Sequence, residues 1–443
     1  MLRPAIVFAI SLMPSFAMGD YPQFRGPDGT GVTQASDPPL EWENDKNVAW
    51  KREIPGSGWS QPIVVKGSVF VTTAVGDKLA KPKDMSAGSR DLASIPGLSR
   101  TKGPDINLKW QILCLDVKDG SIRWSRTIDE GRPKYPTHPS NTYATETPCA
   151  DAEKVYAYFG ATGMVAALDH AGKTVWNVKV GAYPYSNGFG SGSSLTLFDG
   201  LLFLNCFNEE KAFVLALDTR NGQQVWRKDR AKSGSAWATP FVWKNSKRVE
   251  IVACGDKLVT AHEPNTGKEL WRLAGIDTAF APSPAADTDT LILAASSPFS
   301  ASPMYAIRAG AEGDITLKKD EKSNQGVIWS QTKAKVGMAS PVAYGGQVYF
   351  AADGLLSCYE VATGKRHYSE RLPKSKMIAA SPIVVGNRIL IVDEAGRGTW
   401  VKTGIAFETM GGGRVSDIMW ATPAIAGDAV ILRGIDGIYC IRK

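Results

Sequence analysis

Apolar positions along this chain come in short alternating runs separated by turn residues. A representative stretch is Val342-Ala-Tyr-Gly-Gly-Gln-Val-Tyr-Phe-Ala-Ala-Asp-Gly-Leu-Leu-Ser-Cys-Tyr. It holds two alternating runs, each bounded by Gly or Asp, the pattern of strands joined by tight turns. The next residues, Glu360-Val-Ala-Thr-Gly-Lys365, predict a further hairpin with Gly364 in the positive-φ position. Each such unit therefore predicts four antiparallel strands. Past the first 19 residues, no segment keeps helical spacing for three turns.

The unit repeats. Its first mark is Ser/Thr-Pro before a strand, at Thr147-Pro148, Thr239-Pro240, Ser283-Pro284, Ser340-Pro341, Ser381-Pro382 and Thr422-Pro423. Gln61-Pro62 and Ser193-Ser194 are degenerate copies, which brings the number to eight. The second mark is Leu-Asp, a turn with Gly, and Trp four residues after that Gly. Its copies are Leu115-Asp116/Gly120/Trp124, Leu168-Asp169/Gly172/Trp176, Leu217-Asp218/Gly222/Trp226, Gly267/Trp271 and Gly364/Tyr368. Trp329 and Phe407 are expected to fill the same place in less regular copies.

Four strands in roughly 40–50 residues make one propeller blade. A lone blade leaves two apolar faces uncovered, so blades must stack around a ring. A large flat side chain can wedge between neighbours and bury about 150–250 Å². The expected fold is all-β: an eight-bladed β-propeller of four-stranded antiparallel blades. The last copy, Thr422–Arg442, has about three strands before the chain ends. Val48-Ala-Trp50-Lys-Arg-Glu-Ile54 is expected to supply the fourth, closing the last blade with an N-terminal strand and Trp50 as its wedge. Such closure removes free sheet edges. Two β-sandwiches would explain neither the eight copies nor the repeating Trp.

Composition adds the compartment. Arg3, the apolar run Ala5–Phe16 and Ala17-Met18-Gly19 predict a signal peptide at 1–19, cleaved before Asp20. A membrane span needs roughly 20 apolar residues, more than this run offers. Residues 20–44 then form an N-terminal extension, and 45–443 a single propeller. The expected location is exported, periplasmic or extracellular, with no transmembrane segment. Net charge is +7 from 51 basic and 44 acidic residues. Its basic patches, such as Lys78-Leu-Ala-Lys81-Pro-Lys83 and Lys318-Lys319, are short, so nucleic acid is not an expected partner. The six cysteines include Cys114, Cys358 and Cys440 at equivalent points of different repeats, where they are expected as buried small apolar side chains.

The Leu-Asp-x-x-(Thr/Asn)-Gly-x-x-x-Trp element resembles the PQQ-type repeat of quinoprotein propellers. These include PQQ-dependent alcohol dehydrogenases and the propeller lipoprotein of outer-membrane assembly. The opening Tyr21-Pro-Gln-Phe-Arg-Gly-Pro-Asp-Gly-Thr-Gly31 is similar to the start of many exported bacterial PQQ-like propellers. Tyr143-Ala-Thr-Glu146-Thr-Pro and Met304-Tyr305-Ala306-Ile307-Arg308 are similar to other parts of them. The enzymes among these hold PQQ with calcium on the propeller axis, use an acidic base, and in many cases carry a disulfide between adjacent cysteines. No adjacent cysteine pair exists here, and the chain is shorter than those enzymes. Calcium also needs six to eight oxygen ligands, and no Glu/Asn/Asp set stands out. No cofactor and no metal are therefore expected; PQQ with calcium, in a quinoprotein dehydrogenase, is the alternative.

Other chemistry is sparse. There are four histidines, and His262-Glu263 lacks the second His of a metalloprotease helix. Gly188-Phe-Gly-Ser-Gly192 has no helix after it to hold a phosphate. What remains is a binding module, to be sought at the loops. The richest loops are Tyr135–Glu146 and Tyr183–Phe189, both preceding the strand nearest the axis. They supply His138, Asn141, Tyr143, Glu146, Tyr183, Tyr185 and Asn187 as candidate contact residues. Trp59, Trp237 and Trp420 fall just before their Pro elements and join that set. The mixture of aromatic and hydrogen-bonding groups suits a protein or peptide partner; any single ring could instead pack between blades. The chain is expected to be a monomer. Asp77–Asn107, the longest departure from the repeat, is expected as a mobile surface loop, and 311–326 as a second, charged insert.

Overall fold

The computed structural model describes residues 19–34, 37–43, 46–86, 103–230, 234–276, 278–296 and 302–443. Residues 1–18, nearly all of the expected signal peptide 1–19, and the middle of the first insert, 87–102, lie outside the described residues. The chain forms eight sheets, each containing a four-stranded antiparallel meander. Blade 1 comprises 63–65, 68–75, 108–116 and 122–131; blades 2 to 7 follow in chain order. Blade 8 comprises 424–426, 429–433 and 437–441, and its outer strand is Val48–Glu53. Trp50 pairs in register with Cys440 and Lys51 with Tyr439. The expected closure by an N-terminal strand is present.

The Ser/Thr-Pro element has a specific job. The backbone N–H of seven of the eight copies donates to the hydroxyl of the next copy around the ring. Gln61 donates to Thr147 at 2.9 Å, Thr147 to Ser194 at 2.9 Å and Ser194 to Thr239 at 3.0 Å. Thr239 donates to Ser283 at 2.9 Å, and Ser283 to Ser340, Ser340 to Ser381 and Ser381 to Thr422 each at 3.0 Å. Gln61, the one copy without a hydroxyl, closes the circle with its side-chain amide, which donates to the Pro423 carbonyl. Each bond is buried and contributes about 0.5–1.5 kcal/mol.

The outer ends are spaced by indoles. Each closing ring stands opposite a small residue of the third strand: Trp124 on Cys114, Trp176 on Ala167, Trp226 on Ala216, Trp329 on Ala306 and Trp50 on Cys440. Cysteine is thus an alternative to Ala beneath the ring, and all six cysteines are buried. The ring then reaches the hairpin of the next blade. Trp176 donates its Nε1–H to the Thr219 carbonyl at 3.0 Å, Trp124 to His170 at 2.9 Å and Trp226 to Pro264 at 2.7 Å. The hairpin Gly lies flat against the indole. A Cβ on Gly222 would sit 2.5 Å from Trp176, at φ +71°. Gly222→Ala should therefore lose about 2–4 kcal/mol from left-handed strain plus overpacking. Gly386→Ala has the positive φ but meets nothing within 4 Å, and should lose only about 1 kcal/mol. Paired thermal melts check the difference.

Phe407 does not take the wedge place. The residue opposite Trp400 is Gly411, and Phe407 lies before that strand, edge-on to Tyr368 at 5.7 Å. Trp400 already fills the third-strand position, so a second indole opposite would collide. The space is filled instead by Trp42, whose short strand 41–42 pairs in parallel with the outer edge of blade 7. Trp271 also departs from the pattern. Blade 5 lacks the Gly hairpin, and Trp271 donates to buried Glu250 at 2.6 Å. Residues 313–314 of the charged insert add a parallel strand beside it.

Residues 19–33 reach into the axis and touch every blade. They enter beside the first hairpin turns, where Asp20 accepts from Lys66 N–H at 3.0 Å and Gly19 lies against Gly427 of blade 8. Tyr21 exchanges two backbone bonds with Val64 of blade 1, and the Pro22 carbonyl accepts from Ala150 of blade 2. Gln23 accepts from Leu197 of blade 3, and Asp28 pairs with Lys244 of blade 4. Arg25 donates to the Pro284 carbonyl of blade 5 at 2.8 Å and to the Pro341 carbonyl of blade 6. Gly31 accepts from Val384 of blade 7 at 2.7 Å, where 32–33 add a parallel inner strand. Arg25 is fully buried, and among the described residues its guanidinium donates to carbonyls rather than to a carboxylate. Burial pushes its pKa down to about 10.

Candidate binding face

With the hairpin end filled by residues 19–33, the opposite end is the free face. It carries the loops that lead into the inner strands. Trp59 and Trp420 meet there across the seam between blades 1 and 8, stacked at 5.9 Å and 17°. Trp59 is buried and donates to the Ser140 carbonyl at 2.9 Å. Trp420 is half-buried and donates to the Glu394 carboxylate at 2.6 Å. Beneath this pair, buried Arg433 of blade 8 donates to Ser60 and to the Thr72 carbonyl of blade 1. The seam where the two chain ends meet is thus fastened from the axis outward.

Trp237 precedes blade 4, on the far side of the ring. It is half-buried and donates to the Gly190 carbonyl at 2.8 Å. Phe189 stands edge-on to it at 6.0 Å and stacks on His138 at 5.2 Å, while Tyr185 lies 6.3 Å from the same indole. Asn141 ties the two loops together, donating to the Phe189 carbonyl at 2.7 Å. The structure therefore brings His138, Asn141, Tyr185 and Trp237 into one cluster, with Phe189 as the ring that joins them. Asn187 is exposed at φ +51° on the same turn.

Three candidates point elsewhere. Tyr143 is buried in the core between blades 1 and 2, and its carbonyl accepts from Trp110 at 3.0 Å. Tyr183 packs edge-on to Phe213 at 6.1 Å, between blades 2 and 3. Glu146 is buried; its carboxylate accepts from Gly160 N–H at 3.0 Å and from the Ser191 hydroxyl. Burial raises its pKa above the usual carboxylate range. Cys206 lies in the same region, its thiol pushed up to about 11 by burial. Here the loops fold inward, so side chains placed on them by sequence serve the blade contacts.

A calcium–quinone pair would need oxygen donors converging on the axis. Among the described residues, no three His, Cys, Asp or Glu side chains come together to hold a metal. Buried Glu146 is already engaged by Gly160 and Ser191, and buried Asp393 accepts from the Ala395 and Arg397 N–H groups with one carboxylate oxygen. The residues present do not make that donor set, and no step is derived through it.

The first insert shapes the face as well. Its described ends are pinned rather than loose. Lys83 N–H donates to the Pro139 carbonyl at 3.0 Å, Ser140 to the Asp84 carbonyl at 3.0 Å, and Met85 N–H to Glu394 at 2.8 Å.

Comparison with known proteins agrees with the repeat. The family described as outer membrane protein assembly factor BamB matches residues 106–254 and 161–311. No curated protein sequence matches. BamB from Moraxella catarrhalis is similar in structure, with TM-score 0.56 and 12% identity over 88% of this chain and 97% of that one. A europium-containing methanol dehydrogenase gives TM-score 0.62 and 11% identity over 95% and 91%. The computationally designed Ika8 protein gives 0.56 and 11% over 89% and 99%. At such identities the likeness is one of fold, and one fold hosts an assembly factor, an enzyme and a designed chain. The chain is thus a β-propeller, and its repeats resemble those of the PQQ-like family over residues 106–311.

Proposed function

We propose that the protein is a non-catalytic, exported scaffold or binding module that docks a protein or peptide partner on its loop face. The observation that carries this reading is the asymmetry of the two mouths. One is filled by the chain's own residues 19–33, which contact all eight blades. The other presents half-buried Trp237 and Trp420 and exposed Asn187, the aromatic and hydrogen-bonding mixture of contact surfaces. The signal peptide and the likeness to an outer-membrane assembly factor support a place at the cell envelope. No helix among the described residues is long and apolar enough to cross a membrane.

The test is selection from a displayed random peptide library. The intact protein should enrich binders, and Trp237→Ala should weaken them about tenfold or more, as loss of an aromatic anchor does. A melting curve must show that the variant is folded. Failure to enrich any peptide overturns the reading, as does undiminished binding by a folded Trp237→Ala.

A further inference from the structure

Residues 77–86 of the first insert leave blade 1 and reach three other blades around the seam where the chain ends meet. Lys81 pairs with Asp436 of blade 8. Lys83 N–H donates to the Pro139 carbonyl, on the loop into blade 2, at 3.0 Å. Met85 N–H donates to Glu394 of blade 7 at 2.8 Å. The Lys81–Asp436 pair is exposed, and such pairs hold little. The contacts of Asp84 and Met85 end instead on buried Ser140 and half-buried Glu394.

These two neighbours support the two halves of the indole stack. On one side the Asp84 carbonyl accepts from the Ser140 hydroxyl at 3.0 Å, and the Ser140 carbonyl accepts from Trp59 Nε1–H at 2.9 Å. On the other side one oxygen of Glu394, Oε1, accepts from Met85 N–H at 2.8 Å and from Trp420 Nε1–H at 2.6 Å. The Glu394 carbonyl also accepts from Met419 N–H at 3.0 Å. Glu394 therefore grips the backbone beside Trp420 and the indole itself. Bonds to a carboxylate are stronger than those between neutral groups. Trp59 is buried in place, whereas Trp420 is half-buried and stacks on it at 5.9 Å. The ring with freedom to move is the one that Glu394 holds.

We infer that Asp84–Met85 is a clip that sets how Trp420 is presented on the loop face, with Glu394 as the positioning residue between them. Releasing the clip frees the Trp420 ring and leaves the blades intact. Its consequence for binding rests on the loop face being the docking surface; the presentation of the ring does not.

The experiment is hydrogen exchange at the indole N–H groups of the whole protein, followed by NMR, with the Trp420 signal assigned by Trp420→Phe. Met85→Pro removes the N–H that reaches Glu394 and leaves both Glu394 and Trp420 in the chain. It should speed exchange at Trp420 about tenfold, the effect of losing roughly one bond to a charged group. Trp237, which donates to the Gly190 carbonyl beside blade 4, should exchange as in the parent. Glu394→Ala should speed Trp420 further, and Glu394→Gln, which keeps an acceptor oxygen without the charge, should restore part of the protection. Unchanged exchange at Trp420 in Met85→Pro overturns the inference. So does equal acceleration at Trp237, the mark of general loosening. Library-selected peptides that need Trp420 should bind Met85→Pro about threefold to tenfold more weakly, since an anchor that must be ordered on binding costs affinity. Undiminished binding alongside faster exchange removes the clip from docking and leaves the docking reading standing. If no peptide is enriched, the docking reading fails and exchange alone decides the clip.

Discussion

Deleting residues 45–54 will unfold the propeller as a whole rather than trim one edge. The deletion removes the outer strand of blade 8 and with it the register from Val48–Ile441 to Glu53–Gly437. It also removes Trp50, 8% exposed, whose Nε1–H donates to the Val117 carbonyl of blade 1 at 3.1 Å. Arg52, which donates to the Gly120 carbonyl of blade 1 at 2.9 Å, goes too. Loss of one buried indole alone costs about 3–5 kcal/mol, and each ladder bond adds about 1 kcal/mol. That sum is comparable to the whole stability of a typical domain, about 5–15 kcal/mol. The seam between blades 8 and 1 is where the ring was cut to make a chain, so no covalent link compensates. Differential scanning calorimetry should show a single transition moved far down or abolished. An unchanged melting temperature would mean the strand is decorative.

Replacing Arg25 with Ala should produce the second-largest loss. The guanidinium bridges the Pro284 and Pro341 carbonyls of two blades and the Thr30 carbonyl of its own loop. Without it, buried acceptors are left unpaired at about 1–3 kcal/mol each. Gly31 packs against the same guanidinium and Gly26 against Tyr21, at φ +79° and +85°. The plug is therefore shaped around Arg25 and should loosen as a unit. The expected result is a lower melting temperature together with new chymotrypsin cleavage at Tyr21 or Phe24. Arg25→Lys keeps the charge but lacks the fork, so it should recover only part of the loss. Resistance to protease equal to the parent would show that the plug is held without this residue.

The fold was legible because its marks are geometric necessities. The Ser/Thr-Pro copies repeat since seven of the eight pass an N–H to the next copy's hydroxyl at one radius of the ring. The Trp copies repeat since every outer gap has the same width. Exceptions were not legible where the chain solved the same problem from a distance. Trp42 fills the blade 7 gap from an edge strand, whereas local chain order points to Phe407. Arg25 stood in plain view between Phe24 and Gly26, but a buried cation held by carbonyls leaves no charge pattern in sequence.

The candidate face was legible in composition and less so in direction. Trp237, Trp420, Asn141 and Asn187 are partly or fully exposed at the loop end, whereas His138 and Tyr185 join the same cluster as buried side chains. Tyr143, Tyr183 and Glu146 turn inward, because a loop that packs on a blade must satisfy its own interior.

Hydrogen exchange at blade 8 tests the central claim most directly. A ring closed by its two chain ends requires the amides of 48–53 to be protected to the same degree as those of 437–441, and to open with them in one step. Exchange of 48–53 at loop rates, while 437–441 stay protected, would contradict it.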